Sequence, residues 1–382
     1  MNAALPRESP LLAAIRTGKL SEVATIVAGQ SPPSETYNAS GQGLPFLQGK
    51  AEFGPQTPTP VKWCSSPVKV APQGATLISV RAPVGDVNHA DQRYCIGRGL
   101  AAIVAGPELD EHYLYYWLAG QKSYLNRLGS GSIFKSISGS VLQDLQIPLP
   151  ALDEQRRIAR ILSTIQASLS ATDRLLSNAR ALRTAFIRDA FNAGQIPLAA
   201  LPSVARVRTS FPTRQNLTTC TTDNPSHVLF LKVSDLSRSP GPVVTSSAEV
   251  VKSARCLERG ATVFPKRGGA IGTNVKRILG RQAVLDPNLI GVEPGPLLLP
   301  RFLLGFFESI DLRSLQDNTP IPQLNKHNVD ALHIPVPTLR EQSAVCRALD
   351  ALDSHASATL AYRAWQERTF KAALQSLLGG DQ

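Results

Sequence analysis

The sequence predicts an α+β chain in which two pseudo-symmetric globular α/β domains are joined by a long antiparallel helical pair, a coiled-coil spacer. Three observations carry that expectation. The phrase IPLPALDEQRRIARIL at 147–162 returns as IPVPTLREQSAVCRAL at 334–349. Each copy follows a segment punctuated by Gly and Pro, and each introduces a stretch with the apolar spacing of a coiled coil.

The repeat sets the frame. Placing Leu145 on Leu332, an offset of 187, pairs Leu145, Ile147, Pro148, Pro150, Leu152, Glu154 and Gln155 with Leu332, Ile334, Pro335, Pro337, Leu339, Glu341 and Gln342. That makes seven identities in eleven positions. Upstream, GATLISVRAPVG (74–85) parallels GATVFPKRGGAIG (260–272) with one residue inserted, and LPFLQGK (44–50) parallels VLFLKVS (228–234). GSGSIFKSIS (129–138) stands where QDNTPIPQLN (316–325) stands in the second copy. A period this long signals tandem domains and not a solenoid. The reading divides the chain into a first globular domain (1–150), a first helical spacer (151–194), a second globular domain (195–337) and a second spacer (338–382).

Within the globular segments, TLISVRA and GLAAIVA are short apolar runs bounded by Gly, Pro and Asn, as strands are. DEHYLYYWLA (110–119) and its counterpart LPRFLLGFFES (299–309) read as short helices, and the prolines of 55–72 and 225–242 mark loops. The spacers differ in kind. No Pro or Gly occurs from Gln155 to Phe191, where Ile158, Leu162, Ile165, Leu169, Thr172, Leu176, Ala179, Phe186 and Ala190 keep a four-three alternation that only Arg183 breaks. The second seam is Val345, Leu349, Leu352, Ala356, Thr359, Arg363, Gln366, Phe370, Ala373 and Leu377. Two such seams packed on one another explain both; the plainer alternative is one amphipathic surface helix on each domain. Because the second helix leaves its domain through the same phrase as the first, pseudo-symmetry predicts that it runs back toward the first domain. A helix of 37 residues spans roughly 55 Å. The prolines at 148, 150, 335 and 337 are expected to end a strand and fix the angle at which each helix begins.

Composition bounds the function. The 382 residues carry a net charge of +11 and 43% hydrophobic residues, the balance of a globular protein with a polyanionic partner, nucleic acid before membrane. Five widely spaced cysteines (Cys64, Cys95, Cys220, Cys256, Cys346) without a C-x-x-C pair argue against a disulfide framework and a zinc ribbon, and fit a reducing cytoplasm. The N-terminus does not read as a signal peptide, and the most apolar window, LLLPRFLLGFF (297–307), is too short for a membrane span.

Catalytic signatures are not found. An N/D-P-P-Y/F motif would hold a flipped base, but NPSH (224–227) lacks the aromatic; RGGAIGTN (267–274) is glycine-rich without the Lys-Ser/Thr of a nucleotide loop. The six histidines show no metal-ligand spacing, so no metal site is expected, and PELDEH (107–112) reads as a solvated helix cap. Candidate DNA contacts are residues able to reach phosphates or base edges. In the first domain they are Gln30, Ser31, Lys50, Arg81, Arg98, Ser132 and Lys135; in the second, Arg208, Arg214, Lys232, Lys266, Arg267, Asn274, Lys276 and Lys326. Arg81 and Arg267 stand out because they recur at equivalent positions before Gly/Pro turns. Any one of these could instead be a solvated surface charge, and Gln48 and Asn325 could simply cap turns.

The repeated phrase, together with GQSPPSETYN (29–38), GLPFLQGKAEFG (43–54), LISVRAPVGDVN (77–88), CIGRGLAAI (95–103) and TPIPQLNKHNVDALHIPVP (319–337), resembles the specificity subunits of type I restriction–modification systems. The resemblance runs from about Leu20 to Leu378. It implies that the globular segments are target-recognition domains, each reading half of a bipartite double-stranded DNA site. It implies that the helices dock modification (methyltransferase) subunits, two of them, and a restriction/motor subunit. S-adenosylmethionine, ATP and Mg belong, on this reading, to those partners; this chain is a non-catalytic cytoplasmic subunit without cofactor. A helical scaffold and a self-contained methyltransferase or nuclease are the rival readings.

Overall fold

The computed structural model describes residues 16–128, 136–192, 194, 196–209, 227–239, 241–244, 248–251, 256–317 and 319–378. The chain forms two compact units, Met1–Thr172 with Tyr362–Gln382, and Asp173–Ala361. It is a mixed helix-and-sheet protein with two long helices, as the sequence predicts.

In the first unit, β1 (Thr17–Lys19) leads through one helical turn into β2 (Ala24–Ala28). Strands β3 (Thr76–Ser79), β4 (Val87–His89) and β5 (Leu100–Ala105) follow, then helix α1 (Glu111–Gly120), β6 (Gln146–Pro148) and the first long helix α2 (Leu152–Asn192). The central sheet is antiparallel, in the order β2-β5-β3-β4. All four residues of β3 are buried, the apolar Leu77 and Ile78 between the small polar Thr76 and Ser79, which is why TLIS carries no alternation of buried and exposed positions. A second, five-stranded sheet built around Leu44–Leu47 shares a core with the central sheet through Leu77, Leu100 and Ala102, and packs a small cluster of Phe46, Cys64 and Cys95 beside it.

The second unit repeats this plan with β7 (Leu198–Ala200), β8 (Ala205–Thr209), β9 (Thr262–Pro265), β10 (Leu289–Pro294), helix α3 (Pro300–Glu308), β11 (His333–Pro335) and the second long helix α4 (Leu339–Leu378). The equivalence holds to the residue. Ile103 on β5 lies opposite Ile26 and Thr76, and Val292 on β10 lies opposite Val207 and Thr262. Strand β6 pairs with β1 through Ile147 and Gly18, as β11 pairs with β7 through Ile334 and Ala199. Both strands end on the first proline of the repeated phrase. Gly74 and Gly260 precede β3 and β9 with φ of +85° and +95°, a backbone that costs glycine little and other residues much.

The long helices run 41 and 40 residues, slightly longer than the breaker-free stretch. Within each unit their segments pack antiparallel. In the first unit Ile158 and Leu162 share a core with Leu378, joined by Phe370, Ala373 and Leu377, and buried Gln366 donates to Ser168 Oγ at 2.7 Å. In the second, Ile187 and Phe191 meet Leu349 and Cys346. Each fully buried leucine or isoleucine along these seams contributes about 1.5–3 kcal/mol. The break at Arg183 has its explanation here. Arg183 is ion-paired to Glu308 of α3 and Asp353 of α4, and Arg301 of α3 binds the same two carboxylates. A charged seam position with its partner opposite allows one register and penalises the others.

The repeated Glu-Gln has a specific task. Gln155 is 1% exposed, and its Oε1 accepts from the Asp110 amide at 2.8 Å while its Nε2 donates to the carbonyls of Glu108 and Pro150. Gln342 is 0% exposed and does the same to the Leu299 amide and the carbonyls of Leu297 and Pro337. One primary amide thus joins the loop before the short helix to the foot of the long helix in both units. The glutamates before them differ: Glu341 accepts from the amide and hydroxyl of Thr338, whereas Glu154 pairs with Arg157.

Replacing Gln342 by alanine strands one buried amide and two buried carbonyls. It should destabilise the chain by about 1–3 kcal/mol and speed exchange of the Leu299 amide proton. Gln342→Glu should cost more, because it retains the acceptor for Leu299 but turns a carboxylate against two carbonyl oxygens. Urea unfolding and hydrogen exchange check the order; a wild-type midpoint for either variant contradicts it.

Candidate nucleic-acid interface

In the first unit the candidate residues converge on a knot of closely approaching backbone. The Gly29 amide bonds Leu100 O at 2.9 Å, the Gln30 amide bonds Ile96 O at 3.0 Å, and the Val80 amide bonds Gly99 O at 2.9 Å. A Cβ on Gly29 would stand 2.2 Å from Gly97 O, and one on Gly99 2.6 Å from Gln48 O, so side chains at either position would prise the knot apart. It holds Gln30, Ser31 and Arg98 together, with the Ser31 hydroxyl accepting from the Arg98 amide at 3.3 Å. Arg81 follows Val80 and is exposed, as is Arg98; among the described residues no carboxylate pairs with either guanidinium. Lys50 lies two residues beyond Gln48, and its ammonium reaches Asp86 at 2.6 Å, as Lys122 does. Burial opposes the Asp86 charge, but the Lys122 and Lys50 ammonium groups outweigh it and hold the carboxyl below its ordinary range. Ser132 and Lys135 lie outside the described residues.

Arg81 and Arg267 occupy the same place in the two units. Arg81 forms an isolated antiparallel bridge with Ser136, and Arg267 one with Gln323. The flanking bonds also correspond: Ile137 N to Val80 O at 3.0 Å, and Leu324 N to Lys266 O at 2.8 Å. Ser136 and Ile137, and Gln323 and Leu324, within the aligned segments are therefore the strand-like partners of these arginines. Lys266 is half-buried, and burial, reinforced by neighbouring Arg267, lowers its ammonium pKa.

Two candidates in the second unit are placed differently from the expectation. Lys276 is 3% exposed, its ammonium donating to Asn274 Oδ1 at 2.8 Å and Ile310 O at 2.7 Å. Asn274 adopts a left-handed backbone (φ 55°) after the helical turn of 268–273 and also accepts from the Leu312 amide. Both tie that turn to the loop after α3: the Lys276 ammonium is buried in these bonds, and Asn274 engages its carbonyl oxygen while the residue stays half-buried. The glycine-rich run itself stays largely exposed, and only its end is drawn in, where Asn274 and Lys276 satisfy the amide and carbonyl of the following loop.

Lys232, Lys326 and Arg208 reach the surface. Lys232 lies over the Phe230 ring at 5.7 Å, Lys326 pairs with Asp330, and Arg208 donates to Glu293 at 3.0 Å. Arg208 and Lys326 line a cavity of about 970 Å³ with Arg206, Arg259, Glu258 and Glu293. Arg206 and Arg259 were missed. The signal for Arg206 was period two: in ARVRT, Arg206 and Arg208 share a strand face while Val207 turns into the core. Arg214 lies outside the described residues, and Asn325 stands at the N-cap position of the helix at Lys326–Asp330, its amide donating to Asn328 Oδ1 while its side chain bonds Gln323 and Asp317. Asp110 caps α1, accepting from the His112 and Tyr113 amides at 3.0 Å. Among the described residues no helix is long and apolar enough to cross a membrane.

A family model described as type I restriction modification DNA specificity domain matches residues 15–177. A protein of Methanocaldococcus jannaschii named as type I restriction enzyme MjaX specificity subunit is 50% identical over 141 residues, 37% of this chain and 33% of that protein. The type I restriction enzyme MjaIX specificity subunit of the same organism is 27% identical over 158 residues, 38% of this chain and 36% of that one. The chain thus spans about a third of the length of the curated relatives it matches. In fold, the crystal structure of a type I restriction–modification S subunit from M. genitalium is similar along 97% of this chain and 98% of that one, with a TM-score of 0.60 and 16% identity.

The pKa of Lys276 generates a test of its inward placement. Burial lowers it from 10.5 to about 8. Between those values the unfolded chain binds a proton that the folded chain does not, so this residue's contribution to stability rises with pH across the window. Lys276→Met, which cannot titrate, should therefore be at its best relative to wild type below about pH 8 and lose on the order of 2–3 kcal/mol of that standing toward pH 10. Thermal midpoints of both proteins at the two ends of the window check this; a constant difference would refute it.

Proposed function

We propose that the chain, whose residues 15–177 match the family model described as type I restriction modification DNA specificity domain, is the DNA sequence-recognition subunit of a type I restriction–modification complex. The observation that carries the proposal is the second copy of the same scaffold, with an exposed arginine at the same bridge in each unit. Each unit reads one half of a bipartite duplex site. Arg81, Arg98, Gln30 and Ser31 face the first half, and Arg267 with the arginine-lined cavity faces the second. Phosphate contacts from these cations set the register, and affinity falls with salt as counterions are released.

The helical segments dock two modification subunits and a restriction/motor subunit, and S-adenosylmethionine, ATP and Mg act in those partners. Supporting this, Tyr362 and Trp365 on α4 are 51% and 53% exposed and stack at 5.6 Å, an aromatic pair of the kind enriched in interfaces. In this assembly the chain supplies recognition and no bond-making chemistry.

Selection from a random duplex library, using the complex assembled on this chain, tests the proposal. Two separated sequence elements should be enriched; enrichment of none contradicts it. Arg81→Ala should relax one element and leave the other, and Arg267→Ala the reverse, each costing about 1–3 kcal/mol if the arginine reads a base. If the arginines touch only phosphates, both elements survive and the salt dependence of log K falls by about one unit per variant. Trp365→Ala should weaken association with the modification subunit without altering the selected sequence.

A further inference from the structure

The fold brings together three side chains whose spacing in the chain gives no hint of a site. His89 ends the edge strand β4, while Glu111 and His112 open helix α1. One potential ligand atom from each lies within 4.8 Å of the others. The two imidazole rings are 5.1 Å apart at 42°, and His112 Nε2 is 3.8 Å from Glu111 Oε1. His89 leans its ring edge-on to Tyr115, and its Nδ1 is buried without a hydrogen-bond partner. Gly74 lies beneath the acid: a Cβ there would stand 2.4 Å from Glu111 Oε2, so the glycine leaves the space that the carboxylate fills.

The second unit serves as an internal control. Opposite Thr262, where Thr76 of the first unit faces His89, stands Ile278. The places of Glu111 and His112 in the first turn of α3 are taken by Pro300 and Arg301, and Pro300 sits over Gly260 as Glu111 sits over Gly74. The scaffold therefore folds with none of the three ligand types. Their convergence in the first unit is an addition to the fold, not a requirement of it.

We propose that His89, Glu111 and His112 form a binding site for one divalent metal ion of the zinc class, fastening β4 to the start of α1. Two imidazoles and one carboxylate suit zinc, cobalt or nickel and not magnesium or calcium, which favour all-oxygen shells. Ligand atoms around one such ion stand roughly 3.3–3.5 Å apart, given metal–ligand bonds of about 2.0–2.1 Å. The cluster must therefore tighten by about 1 Å. Glu111 and His112, 48% and 57% exposed, can make that movement by changes of rotamer against the better-fixed His89. The positive end of α1 opposes a cation, and the charges of Glu111 and of the cap Asp110 offset it. Three protein ligands leave a further position to water.

The test uses the full-length chain, stripped of metal and titrated with cobalt(II) chloride followed by zinc chloride. One equivalent of cobalt should produce the visible absorption of a low-coordinate cobalt centre. Zinc should abolish it, and magnesium should not. Zinc should also raise the thermal midpoint. His112→Ala and Glu111→Gln alter exposed residues and leave the fold intact; each should weaken cobalt binding by about tenfold or more and remove the zinc-dependent thermal shift. His89→Gln should act alike if it folds, and the two exposed variants decide the matter if it does not. Failure of the wild type to bind one saturable equivalent overturns the proposal, as does wild-type affinity in both exposed variants.

Discussion

A single buried primary amide at the foot of each long helix is the contact on which each unit's arrangement depends. Gln155 and Gln342 each tie a loop amide and two carbonyls that no helix or strand could satisfy, because they lie where a sheet connection, a proline-bearing turn and a helix start meet. An unpaired backbone group there would cost a large part of a domain's net stability. The prolines contribute by removing donors: Pro150 and Pro337 bring carbonyls without amides, and one N–H of each glutamine side chain is spent on that carbonyl. Proline and glutamine in the repeated phrase are thus two halves of one hydrogen-bond arrangement.

From that fixed start the helices acquire direction, and their seams the register. The apolar positions alone would tolerate a shift of one heptad with little loss of burial. The Arg183–Glu308–Asp353–Arg301 cluster would not, since a shift would separate four charges that are between 12% and 24% exposed and leave them partly desolvated without partners. The residue that interrupts the seam is therefore the one that selects its register in the second unit. In the first unit a weaker device does similar work, the Gln366 amide on Ser168.

The chain's architecture was legible because it is written twice and because its long helices contain no breaker. Repetition exposes equivalence without needing correct strand assignments: Arg81 and Arg267 could be paired before anything was known of the bridges to Ser136 and Gln323. What repetition cannot show is which side of a loop faces inward. Lys276 and Asn274 carry the residue types of a DNA contact, and the turn at 268–273 has no hydrophobic period to orient it, so only the fold reveals that both close on the carbonyl and amide of the following loop. Arg206 was readable from the alternation of β8, whereas Arg259 sits in a loop and carried no such signal. The convergence of His89 with Glu111 and His112 depends on β4 packing beside α1, a tertiary fact with no trace in local spacing.

The two units differ where the scaffold permits and agree where it does not. Positions bearing a hydrogen bond that closes the backbone, such as the glutamine clamps and the bridges behind Arg81 and Arg267, are duplicated atom for atom. Positions that face outward diverge freely: Glu111 against Pro300, and the Lys50–Asp86–Lys122 triad of the first unit, which has no described counterpart in the second. Backbone closure fixes the path that carries each arginine to the surface, and the residues around the arginine are then free to change without disturbing it. Because the bridge is made by main-chain atoms, Arg81 and Arg267 hold their places whatever side chains surround them.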